Sequence, residues 1–161
     1  MNRPILKAAG LKKSFSNPKK ITILNGIDLE VARGETVAIT GRSGEGKSTL
    51  LHILGTLESP TEGVLEIDGQ RIGRMNVSRV RNQKIAFIFQ SFHLLEDYTA
   101  LENVMMPAAI GRLPMEVSHG MKLLEYVGLP ERGQFSAKLL SGGEKQRVAI
   151  ARALCNNPDL I

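Results

Sequence analysis

The sequence predicts an α/β fold with a strand, a glycine loop and a helix at its centre, an antiparallel layer of hairpins around them and a helical block after them. Three observations predict it. Thr36 to Thr40 is a β-branched, apolar run, the composition of a short strand buried on both faces. Gly41 to Ser48, G-R-S-G-E-G-K-S, matches G-x-x-x-x-G-K-S/T, and Thr49 to Leu54 continues as a helix with apolar residues on one side. Asp68-Gly69 between Val64–Ile67 and Ile72 is a two-residue hairpin signal.

The central loop carries the chemistry. Glycines let the backbone wrap an anion closely with N–H groups turned inward, and the positive end of the next helix faces the same anion. Lys47 is expected to reach β- and γ-phosphate oxygens, and the Ser48 hydroxyl to ligate Mg²⁺. A plain glycine-rich turn is the competing reading, and the flanking strand and helix weigh against it. Glu45 places a carboxylate in the loop, so its side chain is expected to turn outward to solvent, away from phosphate.

Before the loop, Ile5 to Ala9 and Ile21 to Leu24 are short apolar segments around a basic turn at Asn17-Pro18. Ile27, Leu29 and Val31 alternate with Asp28, Glu30 and Ala32 as a half-buried antiparallel strand does. Arg33-Gly34-Glu35 turns the chain into Thr36, and Ser59 to Gly63 breaks it after the helix. Ile85 to Phe89 reads as a second fully apolar strand ending at Gln90. The carboxyl end of such a strand is where open α/β sheets bind ligands.

From about Ser91 to Leu139 the texture is helical. Thr99 and Glu102 form a capping box opening a helix that runs towards Pro107. Glu116 to Val127 repeats apolar residues on one helical face and is closed by Gly128. Ser141 and Glu144 form a second box, with Gly142 and Gly143 in the first turn and a long helix over Lys145 to Leu154. Glycine is a poor helix former, so two at an exposed helix start suggest a group approaching the backbone closely. Asn156-Asn157-Pro158 ends the helix, and Asp159 to Ile161 begins another apolar segment.

Composition excludes several classes. The 161 residues, 42% hydrophobic and 23% charged, suit one soluble domain with a core. No apolar run approaches the roughly 20 residues that span a bilayer, and the N-terminus lacks the apolar core of a secretory signal. A single cysteine, Cys155, excludes an internal disulfide and reads as a small buried hydrophobe. The net charge of +5 is moderate; Lys12, Lys13, Lys19 and Lys20 read as a solvated loop, and aromatics at 4% offer no stacking motif for nucleic acid.

The two glycine sites together, with Gln90 and L-S-G-G-E-K-Q-R-V-A-I-A-R-A-L over 140 to 154, resemble the ATP-binding subunits of ABC transporters along the whole chain. The resemblance implies a RecA-like phosphate-loop core with an N-terminal antiparallel β layer over 1–90, an inserted helical subdomain over 91–139, and a signature motif with return to the core over 140–161. It implies that ATP is held by Gly41, Arg42, Ser43, Gly44, Glu45, Gly46, Lys47, Ser48 and Thr49, with Mg²⁺ on Ser48 and Gln90. Phe15 takes the position of the family's adenine-stacking aromatic, usually a tyrosine; a plain core residue is the alternative. Ser141, Gly142 and Gly143 cap the γ-phosphate held by an opposite subunit, so Lys47, Gln90 and, in trans, Ser141 are the implied catalytic residues. The implied partners are a second copy and integral membrane permease subunits, with the ATPase lying peripherally on the cytoplasmic side of the inner membrane.

Within the family, L-L-H-I-L-G at 50 to 55, V-R-N-Q-K-I at 80 to 85 and T-A-L-E-N-V at 99 to 104 are most similar to the ATPases of lipoprotein-releasing exporters. Macrolide-exporter and cell-division branches share much of the pattern, and a soluble ABC ATPase without a permease is a rival of another class. The family continues past a segment like Pro158 to Ile161 into a strand ending in Asp-Glu, a D-loop and a switch histidine. The chain therefore resembles a subunit truncated at its C-terminus, with the general base beyond Ile161. His52, His93 and His119 stand in other contexts. The expectation for residues 1–161 alone is poor folding and no ATP hydrolysis above background.

Overall fold

Strand β1, Leu6–Phe15, is the seam of the N-terminal half: it pairs antiparallel with β2, Ile21–Val31, on one side and with β3, Glu62–Ile67, on the other. The structure is a computed structural model and describes residues 3–16 and 19–161; the Asn17-Pro18 turn lies outside the described residues. Leu6, Ala8 and Leu11 of β1 are buried, as are Leu65 and Ile67 of β3. Lys7 points the other way and pairs with Glu30 of β2 on the wet face, the alternation a one-sided sheet requires. Irregular register between Ala8 and Leu11 and between Lys13 and Ser14 marks bulges, so the two apolar segments expected around Asn25-Gly26 are one bent strand.

Strand β4, Gln70–Arg71, completes the order β2-β1-β3-β4 through the expected hairpin. Asp68 and Gly69 have φ of 50° and 68°, both left-handed, as a two-residue primed turn demands. Gly63 permits a close approach of β3 to β1. A Cβ there would lie 2.5 Å from the Gly10 carbonyl oxygen, so any side chain would push β3 off β1.

The described chain divides into two compact units, Met1–Val80 and Arg81–Ile161. The first holds the sheet and helix α1, Lys47–Leu54, whose Ile53 and Leu54 are buried. Helix α2, Val77–Lys84, was not expected as an element; Val80 is its single buried residue, too little apolar repeat to announce a helix. The second unit is helical: α3, Ala100–Gly111, α4, Val117–Tyr126, and α5, Gly142–Leu154, enclose Leu101, Val104, Leu124, Leu140, Val148 and Ala151.

Helix α3 runs through Pro107 to Gly111 rather than stopping near it. Ala108 on the next position is buried, which favours continuing the turn over breaking it. Both capping boxes are complete: Thr99 and Ser141 each accept the N–H three residues on, and Glu102 and Glu144 reach back to the cap N–H. Cys155 is free and buried, as expected.

The two apolar runs depart from expectation. Thr36 to Thr40 makes no strand pairing among the described residues and is largely exposed, with Val37 at 43%. Ile85 to Phe89 pairs only at its start, where Ile85 bridges Leu160 in parallel and Ala86 N–H donates to the Leu160 carbonyl at 2.8 Å. Lys84 anchors that bridge through Asp159, 2.7 Å away. A strand exists only by hydrogen bonds to a neighbour; among the described residues Thr36 to Thr40 pairs with none, and Ile85 to Phe89 pairs with Leu160 at its start alone. Their composition is that of strands; their pairing is not.

Candidate functional site

The end of the glycine loop packs against β2. Gly46 sits at φ 84° as the cap of α1, and a Cβ on it would lie 2.7 Å from Ile23 Cγ2 and 3.3 Å from the Ile23 carbonyl oxygen. Only glycine fits both the left-handed backbone and that contact. The Leu50 N–H donates to the Gly46 carbonyl at 2.8 Å, so α1 begins at once behind the loop.

Lys47, the first helical residue, turns back over the loop. Its Nζ donates to the carbonyl oxygens of Gly41, at 2.8 Å, and Arg42, at 2.6 Å. That places a cation across the loop mouth, held by two neutral carbonyl acceptors. Ser48 and Thr49 follow on the first turn, with Ser48 exposed. Ser43 and Gly44 form the exposed tip of the loop.

Glu45 corrects the expectation of an outward side chain. The residue is exposed, yet its Oε2 accepts the Arg42 N–H at 2.6 Å, folding the carboxylate into the loop. The cause is local: the N–H three residues back is within reach, and a charge-assisted bond to it holds the carboxylate against the loop. Arg42 is thus gripped through its N–H by Glu45 and through its carbonyl by Lys47.

Phe15 ends β1 with 44% of its surface exposed, and Lys13 Nζ lies 5.0 Å from its ring centroid. The alternative of a plain core residue is therefore wrong. The ring is half exposed at the strand end with Lys13 over one face, while the buried residues of this sheet are aliphatic.

In the second unit, Gln90 is exposed in a turn directly after Phe89. The loop behind it is strained: Phe92 and His93 have φ of 53° and 48°. Arg152 of α5 secures this loop, donating to both their carbonyls, at 2.5 Å and 2.6 Å. Burial pushes its guanidinium below the usual arginine range. The Phe89 ring stacks on Phe87 and meets His93 edge-on, a small aromatic cluster either side of Gln90 in the chain.

Ser141, Gly142 and Gly143 form the exposed start of α5. A Cβ on Gly142 would meet nothing within 4 Å among the described residues, so the space on that side of the helix start is open. The Ser141 hydroxyl donates to Glu144 Oε2 at 2.7 Å, and Glu144 Oε1 accepts Arg132 Nε–H at 2.7 Å. Glu144 is held down to about 2 by the Ser141 N–H, the Ser141 hydroxyl and the Arg132 guanidinium, in that order. Arg132 was not singled out from sequence; it lies 12 residues from its partner, with no short-range signal joining the two. The loop residues and Phe15 lie in the first unit, Gln90 and residues 141 to 143 in the second.

Among the described residues no cluster of three histidines, cysteines or carboxylates could hold a metal, and no helix is long and apolar enough to cross a membrane. A glycine loop closing on a helix start, with an inward-turned lysine and an antiparallel sheet before it, defines the class: a phosphate-loop ATPase. The ABC transporter family model matches residues 24–161, and the chain belongs to that family.

The chain is 59% identical over 162 residues to the lipoprotein-releasing system ATP-binding protein LolD of Protochlamydia amoebophila, covering 98% of this chain and 71% of that protein. It is 49% identical to LolD of Bacteroides fragilis, over 94% of this chain and 71% of the relative. Among solved structures, the dimeric bacterial ABC transporter cassette MJ0796 superposes with a TM-score of 0.84 at 38% identity, over 95% of this chain and 70% of that one. A dimeric post-hydrolysis state of the same cassette, bound to ADP and Pi, fits equally well.

Proposed function

We propose that this chain is the ATP-binding part of an exporter ATPase that powers release of lipoproteins from the inner membrane, working as a pair of ATPase subunits on integral membrane permease subunits. The observation that carries the reading is Lys47 closing the mouth of a loop whose glycines and helix start suit a polyphosphate. The LolD relatives support the transported class, and the dimeric cassette supports the pairing. On this reading the chain comprises a β layer and phosphate-loop core over 1–90, a helical subdomain over 91–139 and a signature segment over 140–161. It lies peripherally on the cytoplasmic side of the membrane, and nucleic acid is not among its ligands.

Each residue then has a task. The loop from Gly41 to Thr49 wraps the phosphates, Lys47 supplies positive charge to the β- and γ-oxygens, and Phe15 offers its ring to adenine. Ser141, Gly142 and Gly143 present N–H groups and a hydroxyl to the γ-phosphate held by the second subunit. On this reading Mg²⁺ would be held by Ser48, an exposed hydroxyl on the first turn of α1, and by Gln90, an exposed amide, each a hard oxygen donor suited to an ion that keeps waters and phosphates around it. When bound, that ion neutralises charge on the phosphates.

The test is Lys47→Ala with a fluorescent ATP analogue. Removing the cation drawn across the loop mouth is expected to abolish most nucleotide affinity while leaving the thermal unfolding of the protein in place. Unchanged affinity overturns the assignment of the loop.

A further inference from the structure

We propose that Arg132 is a positioning residue that compensates the charge of Glu144, so that the Ser141–Gly143 end of α5 can receive an anionic phosphate. The inference rests on the reading above, that this end meets a nucleotide held by a second subunit. Its starting point is a conflict. A helix start suited to phosphate carries an ionised carboxylate within its first turn, since Glu144 is pushed down to about 2 and stays charged at any working pH. Uncompensated, that charge repels the ligand the N–H groups attract.

The geometry resolves it. Glu144 Oε2 takes the Ser141 N–H at 2.9 Å and the Ser141 hydroxyl at 2.7 Å, while Oε1 takes Arg132 Nε–H at 2.7 Å. Arg132 comes from the 3-10 turn Pro130–Arg132 that follows α4, and its guanidinium is seated over the Phe135 ring at 4.7 Å. The ring therefore orients the arginine where it meets the carboxylate.

A second helix in the same unit acts as an internal control. Thr99 and Glu102 repeat the box, with the Thr99 hydroxyl donating to Glu102 at 2.9 Å and the Thr99 N–H at 2.7 Å. Glu102 is lowered by Thr99 alone, with no arginine contributing. A capping box of this kind thus forms without a cation. The two boxes differ in what lies beside them: α3 begins against protein with Ala100 fully buried, whereas α5 begins in open space at Gly142. The cation accompanies the box that is open to a ligand.

Four proteins decide it in the complete subunit with Mg-ATP: the parent, Arg132→Ala, Glu144→Gln and the double variant. Two quantities are read, nucleotide binding to the monomer and the ATP concentration for half-maximal dimer closure. Arg132→Ala is expected to leave monomer binding within about twofold and to raise the closure concentration about tenfold, the scale of one charged hydrogen bond. Adding Glu144→Gln removes the charge that needed compensation, so the double variant returns to within about twofold of Glu144→Gln alone, a coupling only a cycle exposes.

A double variant as impaired as Arg132→Ala overturns the proposal, because a merely structural arginine is not rescued by neutralising its partner. Arg132→Lys, which keeps the charge, guards against loss of fold and is expected to recover most of the closure; failure to recover counts against compensation. Ser141→Arg separates the two readings. If it leaves dimer closure intact, the in-trans assignment itself fails; if it blocks closure while Arg132→Ala does not, only the present inference fails.

Discussion

Asn103 and Leu95 are joined backbone to side chain in both directions: Asn103 Oδ1 accepts the Leu95 N–H at 2.8 Å, and its Nδ2 donates to the Leu95 carbonyl at 3.0 Å. The amide also donates to the Thr99 carbonyl at 2.9 Å, and Asn103 is fully buried. A single side chain therefore supplies the hydrogen bonds that the loop from Leu95 to Thr99 lacks from secondary structure. Asn103→Ala leaves those groups unpaired in the interior and is expected to destabilise by about 1–3 kcal/mol. Urea unfolding with an unchanged slope and a lowered midpoint is the expected record; an unmoved midpoint means water substitutes freely.

Glu45 tests how a carboxylate coexists with a phosphate loop. Glu45→Gln keeps an oxygen to accept the Arg42 N–H and removes the charge, so ATP is expected to bind about fivefold tighter at low ionic strength. The gain should shrink as salt is raised through a few tenths molar, because the charge is exposed. Weaker binding by the glutamine variant means the charge itself holds the loop in shape.

Phe15 stands at a strand end with its ring half exposed. Phe15→Ala is expected to weaken ATP binding by about 1–3 kcal/mol, the scale of one base stacked on an aromatic, and Phe15→Tyr to preserve it. Thermal stability should barely change, since the ring is half exposed. Equal losses for ATP and inorganic triphosphate would show that the ring does not touch the base.

Acid sensitivity follows from Glu144. Its carboxyl is at about 2 in the folded protein against an ordinary 4.5, so the folded state favours the ionised form. The stabilisation is fully present above about pH 4.5 and is lost as pH falls towards 2. Glu102 is lowered too and adds to the same acid limb. Glu144→Gln is expected to flatten part of that limb in a series of melts between pH 5 and 2, as the linkage relation requires; an unchanged slope shows that the Ser141 bonds persist on protonation.

Local signals were legible. The Asp68-Gly69 hairpin and both capping boxes depend on residues two or three apart, and each formed as read. Helix α2 escaped notice because only Val80 turns inward. Glu45 was read by its charge, while its direction was decided by one neighbouring N–H. Thr36 to Thr40 and Ile85 to Phe89 show the limit of composition: apolar β-branched runs specify a readiness to pair, but the partner is a matter of distant chain. Arg132 is the same lesson in a side chain, since nothing near Glu144 in sequence announces the cation that meets it.

The unpaired run carries a consequence for isotope labelling. The amides of Thr36 to Thr40 donate to no backbone group among the described residues, whereas Ala86 N–H is held by Leu160. In deuterated water the first set exchanges near the rate of open chain, and the β1 amides paired with β2 and β3 lag far behind. Slowing of that fast set would register a new strand laid along the edge, residue by residue, before any change in catalysis is measured.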